Sequence, residues 1–222
     1  MDYKQNFKCW YSDVCNKYEE GCERHCIRYD EMLFLVKNSG IPETGWTPIT
    51  LTPVTDSDYS KFKRLSEIKE SMKDFVNDGN NLYITSQHTG NGKTSWAIKL
   101  MLKYFNDIWA GNGFRVRGLF IHVPTLLLQL KNFNNPLSEE YKQNILDVDL
   151  VVWDDIACAE LSSYDYSNLL MFLENRLLRK KSNIFTSNRN TKEELDKNVG
   201  ARLTSRIWET SEIIEFKGKD RR

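Results

Sequence analysis

Five short apolar runs recur along the chain: Leu82-Tyr83-Ile84, Leu119-Phe120-Ile121-His122-Val123, Leu150-Val151-Val152-Trp153, Asn183-Ile184-Phe185-Thr186 and Ile213-Ile214-Glu215-Phe216. Each is short enough for a buried strand and is bounded by turn-forming residues. The segments between them carry a different period. Ala97, Leu100, Met101, Tyr104 and Phe105 are spaced as one face of a helix, as are Phe62, Leu65, Ile68, Met72, Phe75 and Val76 before the first run. Pro124 opens a leucine-rich helix (Leu126, Leu127, Leu128, Leu130), and Leu169, Leu170, Leu173 and Leu177 mark another over residues 166–181. Strands alternating with helices predict an α/β fold: a five-stranded parallel sheet with helices on both faces.

Residues 38–60 break this rhythm with Gly40, Pro42, Gly45, Pro48 and Pro53 among several Thr and Ser. They read as a linker or an extended segment. Before them, Cys26, Tyr29, Leu33 and Val36 fall on one helical face, with Cys22 on the same i, i+4 line. The chain therefore divides into an N-terminal unit (1–40), a linker (41–60) and the α/β domain (61–222).

The candidate chemistry sits where strands end. After Leu82-Tyr83-Ile84 comes a loop closing on Gly90-Asn91-Gly92-Lys93-Thr94-Ser95, directly before the helical period. Strand, glycine loop and helix opening on Lys-Thr are the context of a P-loop. Small residues let backbone N–H groups wrap a phosphate chain, and the helix N-terminus adds partial positive charge. Lys93 would reach the terminal phosphates and the Thr94 hydroxyl would hold Mg²⁺. The pattern G-x-x-x-x-G-K-[ST] asks for glycine at position 87, where this chain has Gln87. Either the loop tolerates a side chain there or the site is weakened.

The third run ends in Asp154-Asp155, some 60 residues after Lys93. The first carboxylate would orient the Mg²⁺ water shell and the second would polarise the attacking water. Asn188, just past the fourth run, either bonds a γ-phosphate or the water, or simply starts a turn. Arg202 and Arg206 are four apart and share a helix face, available to a neighbouring subunit's phosphate or to ordinary ion pairs. His122 reads as a strand-end histidine.

Composition narrows the classes. The chain has 222 residues, 40% of them hydrophobic, enough for one sizeable domain and a small one. Lys+Arg and Asp+Glu are 31 each, so net charge draws it to neither nucleic acid nor membrane. Residues 176–222 nevertheless carry 13 basic against 7 acidic side chains, a quarter able to face phosphate. No signal peptide and no membrane-length apolar run occur, so a cytoplasmic location with reduced thiols is expected. Four of the five cysteines, Cys9, Cys15, Cys22 and Cys26, crowd the first 26 residues beside His25. In a reducing compartment this suggests a structural Zn²⁺ site, with Cys26 as fourth ligand or His25 in its place. Buried thiols without metal are the alternative.

Together these motifs resemble the AAA+ ATPases, and more narrowly the DnaC/DnaI helicase loaders and the related IstB transposition ATPases. The resemblance rests on Gly90-x-Gly92-Lys93-Thr94, Val151-Val152-Trp153-Asp154-Asp155, Ile184-Phe185-Thr186-Ser187-Asn188, Arg202-Leu203-Thr204-Ser205-Arg206 and the closing Gly218-x-Asp220-x-Arg222. It implies a lidless RecA-like AAA+ domain that binds ATP with Mg²⁺, with Asp155 as base and Asn188 as sensor 1. It also implies Arg206 as arginine finger, Arg202 its partner or substitute, and Arg222 a sensor-2-like arginine. The implied activity is slow, switch-like ATP hydrolysis in an ATP-dependent homo-oligomer. The implied partners are a hexameric replicative helicase, gripped by a zinc-binding N-terminal domain, and single-stranded DNA, in a phage or mobile-element setting. An IstB-like DNA-binding regulator and a non-hydrolysing adaptor are the competing expectations.

Overall fold

The computed structural model describes residues 9, 11, 26–46, 50–53, 55–132 and 137–218. Nine α-helices and five strands follow one another among them. α1 (Ile27–Lys37), α2 (Asp56–Glu70) and α3 (Met72–Asn77) precede β1 (Asn81–Thr85). Then come α4 (Lys93–Ile108), β2 (Gly118–His122), α5 (Val123–Leu130), α6 (Glu139–Asp147) and β3 (Leu150–Asp154). The chain continues through α7 (Ser163–Leu178), β4 (Ser182–Ser187), α8 (Lys192–Val199), α9 (Ala201–Trp208) and β5 (Ser211–Glu215).

All five expected strands form one parallel sheet in the order β2-β3-β4-β1-β5. Two apolar layers cover it. Leu82, Ile84, Val152, Ile184 and Ile214 pack under α1 to α4, while Tyr83, Val151, Trp153 and Phe185 pack under α5 to α9. Burial on both faces is why the runs read as continuous rather than alternating. Because every strand points the same way, the segments after β1, β3 and β4 gather on one edge, where ligands of open α/β sheets bind.

The N-terminal boundary is less sharp than the linker pattern suggests. Met32, Leu35 and Val36 of α1 belong to the same buried cluster as Leu100, Met101 and Phe105 of α4. The Phe120 N–H donates to the Ser39 carbonyl at 2.6 Å, so the chain after α1 lies along the outer strand β2. Cys26 is not on the helical face but just before α1, in extended backbone and exposed. α2 begins at Asp56, inside the expected linker, and the helix expected through Val76 is interrupted at Ser71.

The lower edge of the sheet is tied by a buried cation. The Arg176 guanidinium is fully buried and donates to the carbonyls of Ile145, Val148 and Ser182 and to Asn183 Oδ1, at 2.6–2.9 Å. Asp149, at the start of β3, pairs with Arg117 and with Lys181 and accepts from the Tyr104 hydroxyl.

Candidate ATP site

The loop between β1 and α4 is shaped by two glycines. Gly90 (φ +71°) and Gly92 (φ +97°) lie in the left-handed region, which L side chains adopt only with strain. Ser86, fully buried at the end of β1, anchors the turn: the Asn91 side chain and the His88 N–H both donate to its hydroxyl. Asn91 is thus a buried brace within the loop. Lys93 opens α4 with its ammonium turned into the loop, donating to the His88 carbonyl at 2.9 Å and to Asn91 Oδ1 at 3.4 Å. Gln87 is exposed, and its φ is outside the left-handed region. The missing glycine is therefore accommodated without backbone strain.

Asp154, at the end of β3 and largely buried, receives two hydroxyl donors on one oxygen. Thr94 Oγ1, in the first turn of α4, and Thr186 Oγ1, on β4, each lie 2.7 Å from Asp154 Oδ1. β4 lies between β1 and β3, so Thr186 fills the gap between the phosphate loop and the acidic strand end. The same hydroxyl accepts from the Asp155 N–H at 3.0 Å, and the Thr186 carbonyl accepts from Ile156 N–H. Thr186 was legible only as one letter of a strand; a hydroxyl directly after the apolar pair Ile184-Phe185 was the available signal. The hydroxyl and carboxylate oxygens of Thr94 and Asp154 are the hard donors Mg²⁺ takes.

Asp155 is held at φ +59°, an uncommon conformation for a non-glycine residue and one that concentrates at functional sites. Burial pushes its carboxyl pKa up, and the adjacent Asp154 adds to this, while His122, Lys93 and Arg189 pull it back. Beyond β4, the Asn188 Oδ1 atom is buried and has no hydrogen-bond partner among the described residues. It lies at the same edge of the sheet as Asp154 and Asp155.

The structure does not bring Arg202 and Arg206 to this site. Both are exposed on α9 and share one carboxylate on α7, Glu174, at 2.7 and 3.4 Å. The Arg202 guanidinium holds the Glu174 carboxyl below its usual range, with Arg206 assisting. Arg206 belongs to the opposite edge of the sheet. Its carbonyl accepts from the Thr210 hydroxyl, and the Thr210 carbonyl accepts from Asn81 at the start of β1.

Other expected residues lie outside what is described: Cys15, Cys22 and His25 at one end, Arg222 at the other. Cys9 is half-buried and Cys26 exposed, and no group of three or more His, Cys, Asp or Glu placed to hold a metal occurs among the described residues. No described helix is long and apolar enough to cross a membrane.

A glycine loop on a helix N-terminus, facing a threonine-bridged aspartate across a parallel sheet, defines an ATP-binding P-loop domain of AAA+ type. The chain belongs to the IstB-like ATP binding protein family, whose sequence profile matches residues 51–222. Among solved structures it is similar to the DnaC helicase loader, at 20% identity and TM-score 0.66, covering 79% of this chain and 100% of that one. It is also similar to DnaI, at 23% identity and TM-score 0.60, covering 77% and 88%. AMPPCP-bound DnaA from Aquifex aeolicus matches at 18% identity and TM-score 0.56, covering 75% and 48%. These likenesses are of fold. No curated protein matches.

Proposed function

We propose that the protein is an ATP-dependent loader of a hexameric replicative helicase, working as a slow ATP switch in a homo-oligomer. The observation that carries this reading is the separation of the site into two halves. Lys93, Thr94, Asp154, Asp155 and Asn188 gather at one edge of the sheet, while Arg202 and Arg206 stand exposed at another. An ATP site finished by a neighbour's arginine reports assembly as well as nucleotide.

In this mechanism the backbone N–H groups of residues 90–95 and the Lys93 ammonium hold the phosphates. Thr94 and Asp154 would hold Mg²⁺, which when bound neutralises charge on the phosphate oxygens. Asp155 takes the proton of the attacking water, and Asn188 orients the water or the γ-phosphate. Arg206 of a neighbouring subunit, with Arg202 beside it, stabilises the transferred phosphoryl group, and Arg222 adds a second cation.

Residues 1–40 would grip the helicase, stabilised by zinc on Cys9, Cys15, Cys22 and Cys26 or His25; the clustering of these residues is what supports zinc. α1 packs on α4, whose first residue is Lys93, which gives a mechanical route from that grip to the nucleotide. Single-stranded DNA would be the assembly's second partner.

Mixing the full chain with replicative helicase under ATP and under ADP tests the reading: co-elution that depends on ATP is expected, and no binding under either overturns it. The family match over residues 51–222 favours one alternative, an IstB-like regulator that binds DNA with ATP and ignores helicase. A non-hydrolysing adaptor would release no phosphate, whereas the switch loses about a hundredfold or more of its turnover in Lys93→Ala.

A further inference from the structure

We infer that Glu174 is a positioning residue for Arg206, the arginine that the proposed function gives to a neighbouring subunit's ATP, and the assignment rests on that reading. Glu174 stands on α7 and meets both arginines of α9 with a single oxygen, Oε1. Arg202 reaches it with two nitrogens, Nη2 at 2.7 Å and Nε at 3.0 Å. Arg206, about one helical turn further on, reaches the same oxygen with Nε alone, at 3.4 Å. The carboxylate is the recessed member of the group: its side chain is 24% exposed, those of Arg202 and Arg206 60% and 47%.

That asymmetry divides the two arginines. One carboxylate neutralises one guanidinium, and Arg202 takes it with the closer, two-nitrogen contact. Arg206 is therefore the cation in excess, tethered by its Nε, and its terminal nitrogens make no hydrogen bond among the described residues. Glu209, just past the end of α9, is engaged elsewhere, accepting from Lys192 at 2.7 Å and from Ser205 Oγ at 2.8 Å. Both arginines line a cleft of about 400 Å³ with Leu177, Leu178 and Thr210, and Leu178 is 83% exposed beside it. Such a cleft has room for a neighbour's phosphate group, and the free end of Arg206 offers it a planar set of donors. Holding the guanidinium at Nε restricts its swing before the phosphate arrives, so less freedom is lost when two subunits meet. Arg206 thus donates across the subunit boundary, and Arg202 anchors the carboxylate that aims it.

The test compares Glu174→Ala, Glu174→Gln, Arg206→Ala and the double alanine variant in the full chain, as turnover per subunit at saturating protein and ATP. Glu174→Ala should lower kcat about fivefold, the most that an exposed ion pair supplies, and leave KM within about twofold. Glu174→Gln, whose amide oxygen still accepts from Nε, should recover part of the loss. In the Arg206→Ala background, Glu174→Ala should lower kcat no further. An unchanged kcat in Glu174→Ala, or the same fold loss with and without Arg206, overturns the assignment while Arg206 keeps its role. A purely structural carboxylate would give that second pattern, because its removal would act on both backgrounds alike. A wild type that releases no phosphate, or an Arg206→Ala variant as fast as the wild type, overturns the role of Arg206 itself and the assignment with it.

Discussion

Thr94 and Thr186 come from different elements and meet on a single oxygen of Asp154, each at 2.7 Å. Two donors on one carboxylate oxygen fix the orientation of the group. Thr186 also carries the Asp155 N–H, so one hydroxyl sets the position of both acidic residues. Outer partners of a metal-orienting carboxylate typically govern metal affinity by about 10–100-fold. We therefore expect Thr186→Val to weaken Mg²⁺-dependent ATP binding about tenfold, and Thr186→Ser to restore it. Nucleotide titration with and without Mg²⁺ checks this; an equal loss in metal-free buffer would place the effect in the fold instead.

Gln87 occupies the first glycine position of the P-loop pattern, yet its backbone needs no glycine and its side chain is exposed. Gln87→Gly should leave ATP affinity within about twofold and cost up to about 1 kcal/mol of stability through the freer unfolded chain. Isothermal titration and urea unfolding measure the two effects separately. A collapse of ATP binding would mean that the Gln87 side chain itself takes part in the loop.

β1, β2 and β3 were legible as nearly continuous apolar runs, and β4 and β5 through the pairs Ile184-Phe185 and Ile213-Ile214 between polar residues; Gly90, Gly92 and Asp154 stood out because a P-loop site demands those residue types. The order of the strands was not legible, and the role of Thr186 depends on it: only with β4 inserted between β1 and β3 does its hydroxyl reach both Thr94's partner and Asp155. α6 and α8 escaped because they bury so little, Ile145 in one and Leu195 and Val199 in the other, that no period emerges. α2 starts within a stretch rich in Pro and Thr, where the turn-forming composition masks a helix opening after Thr55. Cys26 had looked like a helical ligand on its i, i+4 spacing from Cys22. The helix starts one residue later, which removes that geometric preference over His25.

Arg176 had counted only as the first residue of a basic segment. Its guanidinium instead satisfies three buried carbonyls and the Asn183 amide oxygen where α6, β3 and β4 converge. Burial pulls its pKa down, though Asp149 opposes this, and the surrounding acceptors favour the cation. Arg176→Met should destabilise the protein by about 3 kcal/mol or more, since several buried acceptors lose their donor together. Lysine should not rescue it, because one ammonium cannot span the same fork. Urea unfolding of the two variants decides the matter, and a loss below about 1 kcal/mol in both would show that water or neighbouring N–H groups can replace the guanidinium.

Asp149 lies at the opposite edge from the nucleotide, so it separates stability from activity. Burial alone would raise its carboxyl pKa, but hydrogen bonds and charge from Lys181 and Arg117 outweigh burial and hold it below the ordinary range. A carboxylate with a folded pKa below its unfolded one stabilises the fold above the unfolded value, about 4, and loses that contribution as pH falls through the folded value. Asp149→Asn should therefore be less stable than the wild type at neutral pH, with the gap narrowing steadily on acidification below about pH 4. Denaturant unfolding of both proteins at several pH values measures the gap. ATP affinity at neutral pH should be the same in both, because neither Asp149 nor its partners Arg117, Lys181 and Tyr104 approach the phosphate loop. A gap that stayed constant from neutral to acid pH would show that the ionisation of Asp149 contributes nothing and that the loss comes from packing or hydrogen-bond geometry at that edge.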